Sequence, residues 1–194
     1  SAVTALRSNL RDERAAVEVL QRALLPQALP DVGFARVHAV YRPAGGSSLV
    51  GGDWFDAFVL PDGRLGFTVG DVAGHGMGAA ASMSELRHSL RAYSRSATTP
   101  SDALTRLDGL FAATGEEAYA TSLFGVLDGA GATVTWSNAG HLPMLLRRQG
   151  RSELVRTRPG APLGTGYGSF HDERLDLRPG DVLVLYTDGL VERR

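Results

Sequence analysis

The sequence predicts an α+β fold: two helices inserted among eight or nine short strands that pair mostly antiparallel. Three observations carry the prediction. Two interior stretches, GHGMGAAASMSELRHSLRAYSR and the segment from Pro100 to about Thr114, have helical composition and start signals. Nearly every other apolar run is short and closed by Gly, Pro, Asp or Asn, and the clearer ones alternate apolar with polar residues. The connections between those runs are mostly too short for the crossovers that parallel strands need.

The elements follow in order. Residues 1–25 hold no Gly or Pro, and Leu6, Leu10, Glu13, Val17, Leu20 and Leu24 recur in steps of four and three, a heptad seam with one acidic interruption. Two readings stay open for this helix: packing on its own domain, or a short coiled coil that ends a longer signalling helix and pairs two copies. Pro26 and Pro30 stop it. FARVHAVYRP then reads as a strand ending in the loop AGGSSLVGG. WFDAFVL and RLGFTVGDV form a hairpin around Pro61-Asp62-Gly63. The first interior helix presents Met83, Leu86 and Leu90 on one face. After the second come the strand-like runs YATSLFGVLD, ATVTWSNAG, LPMLLRR, ELVRT, FHDERLDL and DVLVLYTDG.

Composition narrows the function. The chain has 194 residues, 43% of them apolar, which suits one domain with a real core or one domain with an appendage. Its 20 basic residues are all Arg and meet 21 acids, for a net charge of −1. That balance argues against a nucleic-acid binder, whose footprint is basic. Zero Cys excludes disulfides, thiolate metal sites and a cysteine nucleophile. No apolar run approaches the ~18 residues of a membrane span and no signal-peptide pattern opens the chain. A soluble, cytoplasmic protein is expected.

Three aspartates carry the chemistry. The two-residue pleat of RLGFTVGDV sets Leu65, Phe67, Val69 and Asp71 on one face. In DVLVLYTDG the same pleat joins Val182, Val184, Tyr186 and Asp188, and in DWFDAFV it joins Asp53, Phe55, Ala57 and Val59. Each row is expected to face the core with a carboxylate at one end. Such a carboxylate is costly unless its charge is paired, and the chain has no Lys, while the one Arg in these motifs, Arg64, lies at the far end of its strand from Asp71. A bound cation is the economical partner, and hard oxygen ligands point to Mg²⁺ or Mn²⁺. The competing reading is turn chemistry, since an Asp beside Gly at a strand end is common; three coincidences favour the metal. A hairpin brings Asp53 and Asp71 to the same end. Gly51, Gly52, Gly70, Gly74, Gly76 and Gly78 then let backbone approach a ligand and take φ > 0. GDVAGHGMG fits neither a Walker A loop nor GxGxxG.

VGGDWFDAF, GDVAGHGMGAA, SNAGHLP, the Pro-Leu-Gly of GAPLG and LRPGDVLVLYTDGLVE, in that order, resemble the SpoIIE/RsbU-type branch of the PP2C-like metal-dependent protein phosphatases. LQRALLPQALP is similar to the stretch that links such domains to upstream sensor modules. The resemblance covers about residues 18–194. It implies an α-β-β-α sandwich of two mainly antiparallel sheets flanked by helices, with two Mn²⁺ or Mg²⁺ ions at one edge. Residues 1–25 become the N-terminal linker helix and residues 26–194 the phosphatase domain. Asp71 matches the carboxylate that bridges both metals, and Val72 the residue offering a backbone carbonyl to one of them. Asp53 matches the acid of the first motif, at the metals directly or through water, and Asp188 an acid ligand of the second metal.

The implied activity is hydrolysis of phosphoserine or phosphothreonine on a partner protein by metal-activated water. The implied substrate is a small phosphorylated anti-sigma-factor antagonist of the STAS type, an anti-anti-sigma factor. Two other functions stay open: a catalytically weak regulatory binding module, and a metal-dependent hydrolase of nucleotides or other small phosphates. Domains of this kind usually continue past YTDGLVE through a helix and a strand with a further aspartate ligand. The sequence stops at Arg194, so the second metal site is expected to be incomplete. His75 and His141 are candidates for the general acid, against a reading as loop-fixing hydrogen bonds with Asn138 holding the SNAGH turn. Asp56 reads as a support to the metal ligands or as an exposed acid. Arg147, Arg148, Arg151, Arg156 and Arg158 read as a solvated hairpin or as a docking patch for an acidic partner.

Overall fold

The computed structural model describes residues 23–42, 51–114 and 118–191. The expected helix over residues 1–25 therefore lies outside the described residues except at its end, where Ala23 and Leu24 are helical and Leu25 is buried.

The first hairpin forms as expected, with β1 (Gly51–Val59) antiparallel to β2 (Leu65–His75). Its turn is closed by the Gly63 amide donating to the Leu60 carbonyl at 2.9 Å, with Gly63 at φ 86°. That left-handed conformation favours glycine. Helix α1 (Met77–Tyr93) buries Met83, Leu86 and Leu90, the face that the spacing predicts. Helix α2 (Pro100–Ala113) starts on Thr99, whose hydroxyl accepts the Asp102 amide, with Pro100 in the first turn where its missing N–H costs nothing. It buries Leu104, Leu107 and Phe111.

The remaining strands are β3 (Ala120–Asp128), β4 (Thr133–Ala139), β5 (Leu145–Arg148), β6 (Arg151–Leu154), β7 (Glu173–Asp176) and β8 (Val182–Val184). They form a five-stranded sheet in the order β1-β2-β3-β4-β7 and a three-stranded sheet in the order β6-β5-β8, with every pairing of named strands antiparallel. Trp54, Phe58, Val72 and Phe124 of the large sheet pack with Met83, Leu86, Leu90, Leu104 and Leu107 of the helices. On the opposite face Val69, Leu123, Val134 and Trp136 meet Leu183 of the small sheet and Met144 and Leu185, which flank its strands. Helices, large sheet and small sheet stack as three layers of the expected sandwich. Among the described residues no helix covers the outer face of the small sheet.

Two expectations need correction. FARVHAVYRP is not a strand: in its described part only Ala35 takes part in a bridge, an isolated one to Val32 before the segment, and Val40 is exposed. An alternating pattern makes a strand only where a sheet edge receives it. The ELVRT strand lies earlier, at Arg151–Leu154, because Gln149 (φ 50°) and Gly150 (φ 79°) make a two-residue turn that pairs Arg148 with Arg151.

Candidate metal centre

The β1–β2 register sets Asp53 directly opposite Asp71. Like charges facing each other across an antiparallel pair are destabilising. The third acid comes from the small sheet: Asp188 opens a 3-10 turn, Asp188–Leu190, beyond β8. Oxygens of the Asp53, Asp71 and Asp188 carboxylates all lie within 4.8 Å of one another, on partly buried residues. Thr187 donates its hydroxyl to Asp53 Oδ2 at 3.1 Å, which stitches the two contributing segments together. Three hard oxygen donors converging at this spacing fit Mg²⁺ or Mn²⁺, and a chain without cysteine offers no thiolate to a thiophilic ion.

The strands around the acids approach very closely. A Cβ on Gly52 would stand 2.3 Å from the Val72 carbonyl oxygen, and one on Gly70 would stand 2.2 Å from the Trp54 ring and 2.6 Å from the Thr121 carbonyl. These two glycines make room for protein, not for a ligand as expected. Gly74 (φ 100°) and Gly76 (φ 91°) do take the expected left-handed backbone between Asp71 and helix α1. Gly78 shows neither feature. The Val72 side chain is buried on the helix side of β2.

The rows that carry the acids differ from the pleat reading. Only β2 behaves as expected, with Val69 between the sheets in the Asp71 row. In β1 the deep row is Trp54, Asp56 and Phe58, while the Asp53 row runs out to Val59, 45% exposed. In β8 it is Leu183 that turns inward, with Leu185 just beyond the strand; Val182 and Val184 are 48% and 38% exposed. Asp53 and Asp188 thus reach the cluster through register and a turn, not from core-facing rows.

Asp56 is neither exposed nor part of the cluster. It is 2% exposed on the opposite face of β1, accepts from Arg87 at 3.2 Å and the Ala57 amide at 2.8 Å, and has Arg91 at 3.6 Å. Burial pushes its carboxyl up, and the two guanidinium groups and the amide pull it back. The missed partner had a signal: Arg87 shares the apolar face of Met83, Leu86 and Leu90, where a cation requires a buried acid.

His75 is exposed at the end of β2, paired with Gly51 and outside the three-acid group. His141 is buried. The Asn138 side chain accepts the His141 amide at 2.7 Å and donates to its carbonyl at 2.9 Å, so Asn138 does hold the SNAGH turn. The ring bridges Thr121 Oγ1 (2.8 Å) and the Tyr186 carbonyl (3.0 Å). Burial lowers its pKa from 6.5 to about 4, against smaller opposing effects of the Tyr186 carbonyl and Asp188. The ring is therefore neutral near pH 7. A carbonyl only accepts, so Nε2 carries the proton and Nδ1 accepts from the Thr121 hydroxyl. Thr121 lies in none of the motifs, and Tyr186 and Thr187 lie in the YTDG motif but are not among the expected site residues. In the arginine cluster, Arg148 grips Asp181 at 2.6 Å and thereby holds that carboxyl low, while Arg147, Arg151, Arg156 and Arg158 are exposed.

A family model described as stage II sporulation protein E (SpoIIE) matches residues 61–194. The chain belongs to the SpoIIE family. It is a SpoIIE/RsbU-type, PP2C-like phosphatase domain. Protein IcfG of Synechocystis is 32% identical over 206 aligned residues, which cover 90% of this chain and 32% of IcfG. The crystal structure of the RsbU and RsbW domains of Rv1364c from Mycobacterium tuberculosis matches with a TM-score of 0.68 at 41% identity, covering 74% of this chain and 40% of that one. RsbX in complex with magnesium shares the fold, with a TM-score of 0.63 at 19% identity over 76% of this chain and 70% of RsbX. The chain thus spans about a third of the length of IcfG. No described helix of this SpoIIE-family domain is long and apolar enough to cross a membrane.

Proposed function

We propose that this SpoIIE-family domain hydrolyses phosphoserine or phosphothreonine on a partner protein with the help of Mn²⁺ or Mg²⁺. The observation that carries the reading is the meeting of Asp53, Asp71 and Asp188, from two sheets, within 4.8 Å. Asp71 would be the ligand shared by both ions, the Val72 carbonyl would serve one and Asp188 the other, and Asp53 would hold the ions directly or through water. Bound there, the ions supply Lewis-acid stabilisation of the phosphoryl group and lower the pKa of water. The chain's own residues provide the frame. Gly52 and Gly70 fix the close approach of β1, β2 and β3, and Thr187 orients Asp53. His75, exposed beyond Asp71, is the candidate to give a proton to the departing serine or threonine oxygen.

The Rv1364c structure holds an RsbU domain together with an RsbW domain, which supports a place in sigma-factor control and a phosphorylated STAS-type substrate. Residues 1–25 are proposed as a linker from an upstream sensor, able to pair two copies, with the phosphatase domain over residues 26–194. The test is turnover of p-nitrophenyl phosphate, a phosphorylated STAS protein and a nucleotide panel, each with Mn²⁺. The first two are expected to be hydrolysed and to stop on chelation. Chelator-insensitive turnover, or a preference for nucleotides, overturns the proposal.

A further inference from the structure

The two sheets share no strand, so backbone pairing does not set where Asp188 stands relative to Asp53 and Asp71. Side chains must do it. Asp71 pairs with Thr121 in the β2–β3 register, and Thr121 hydrogen-bonds the His141 ring. The other ring nitrogen reaches the carbonyl of Tyr186, two residues before Asp188. The main chain that carries the ring is fixed, because Asn138 holds both the amide and the carbonyl of His141. The geometry points to His141 as a positioning residue, a strut from the strand beside Asp71 to the segment that delivers Asp188, on which metal affinity depends. This inference rests on the metal reading above.

A filler of the core would affect folding alone; a strut affects metal affinity in the folded protein. Partners that orient metal ligands typically change affinity about 10–100-fold when removed. Mn²⁺ affinity is measured by calorimetry on the wild type, H141F, H141Q, T121V and D71N, with folding checked by circular dichroism. H141F is expected to lose about 10–100-fold in affinity. H141Q, which keeps a donor toward the Tyr186 carbonyl, is expected to stay within about threefold, and T121V to fall between, since each retains one of the two links. Nitrogen-15 spectra of the metal-free protein are expected to show His141 protonated at Nε2. Wild-type affinity in folded H141F, or a proton at Nδ1, overturns the inference. Should H141F fail to fold, unchanged affinity in T121V does the same. If the wild type binds Mn²⁺ no better than D71N, the metal reading itself fails and the strut falls with it, a result distinct from loss of the strut alone.

Discussion

Asp53 and Asp56 sit on the same strand, three residues apart, and face opposite sides of the large sheet. Asp56 is sealed in the helix-side core and meets Arg87 and Arg91. Asp53 is half-buried at the sheet's end and meets Asp71 and Asp188. A structural carboxylate thus brings its counter-charge with it, at the full cost of burying both ions. The cluster at the other face gathers charges of one sign, an arrangement that makes sense for binding a cation from solution. The same residue type on one strand is a fastener in one place and, in the proposed reading, a ligand in the other. The neighbours decide which.

The largest effect expected from breaking this contrast is on Asp56. D56A leaves Arg87 buried beside no carboxylate and should cost about 3–5 kcal/mol in urea unfolding; a loss below about 1 kcal/mol would make the pair incidental. D71N should cut metal-dependent turnover more than about a hundredfold. In metal-free buffer its stability should be unchanged or higher, because a like charge opposite Asp53 is gone. A destabilisation resembling that of D56A would erase the contrast.

The next effect is on pH. Burial holds the folded-state pKa of His141 at about 4, below its ordinary 6.5, so between those values the unfolded chain binds the extra proton. Stability is then full above about pH 6.5 and falls as pH drops toward about 4. Relative to H141Q, the wild type should lose about 2 kcal/mol between about pH 7 and about pH 5 in paired urea titrations. Parallel curves for the two proteins would count against a neutral buried ring. The smallest effect is on T187V, which removes one hydrogen bond to Asp53 and should weaken Mn²⁺ binding by less than about tenfold in calorimetry.

Local signals carried much of the fold. The Pro61-Asp62-Gly63 turn, the helix start at Pro100 and the Met83, Leu86, Leu90 face each depend on residues close in the chain, and each forms as read. FARVHAVYRP misled because its alternation shows no sheet partner among the described residues, and the β6 strand shifted because Gln149-Gly150 set a tighter turn. In the centre, the end-to-end placement of Asp53 and Asp71 follows from the hairpin and was legible. The core-facing rows invoked for Asp53 and Asp188 were not what brought them in. Arg87 could have been found from its place on an apolar helix face, and Thr187 from its place beside Asp188 in the YTDG motif, whereas Thr121 offered no pattern to read.

By itself the sequence determined the two helices, most of the strands, the absence of thiol chemistry and the hairpin that joins Asp53 to Asp71, since periodicity, turn residues and composition are local properties; the expected strand ends were not met, with Asp71 inside β2 and Asp188 in the turn after β8. Only the tertiary structure decided that Asp71 and Thr121 are neighbours, that Asp56 belongs to Arg87, and that His141 reaches Tyr186 across the two sheets. Those contacts join residues far apart in the chain through strand register and sheet packing. No local pattern specifies which partner a strand will meet, because that choice is made by the burial of whole faces against one another.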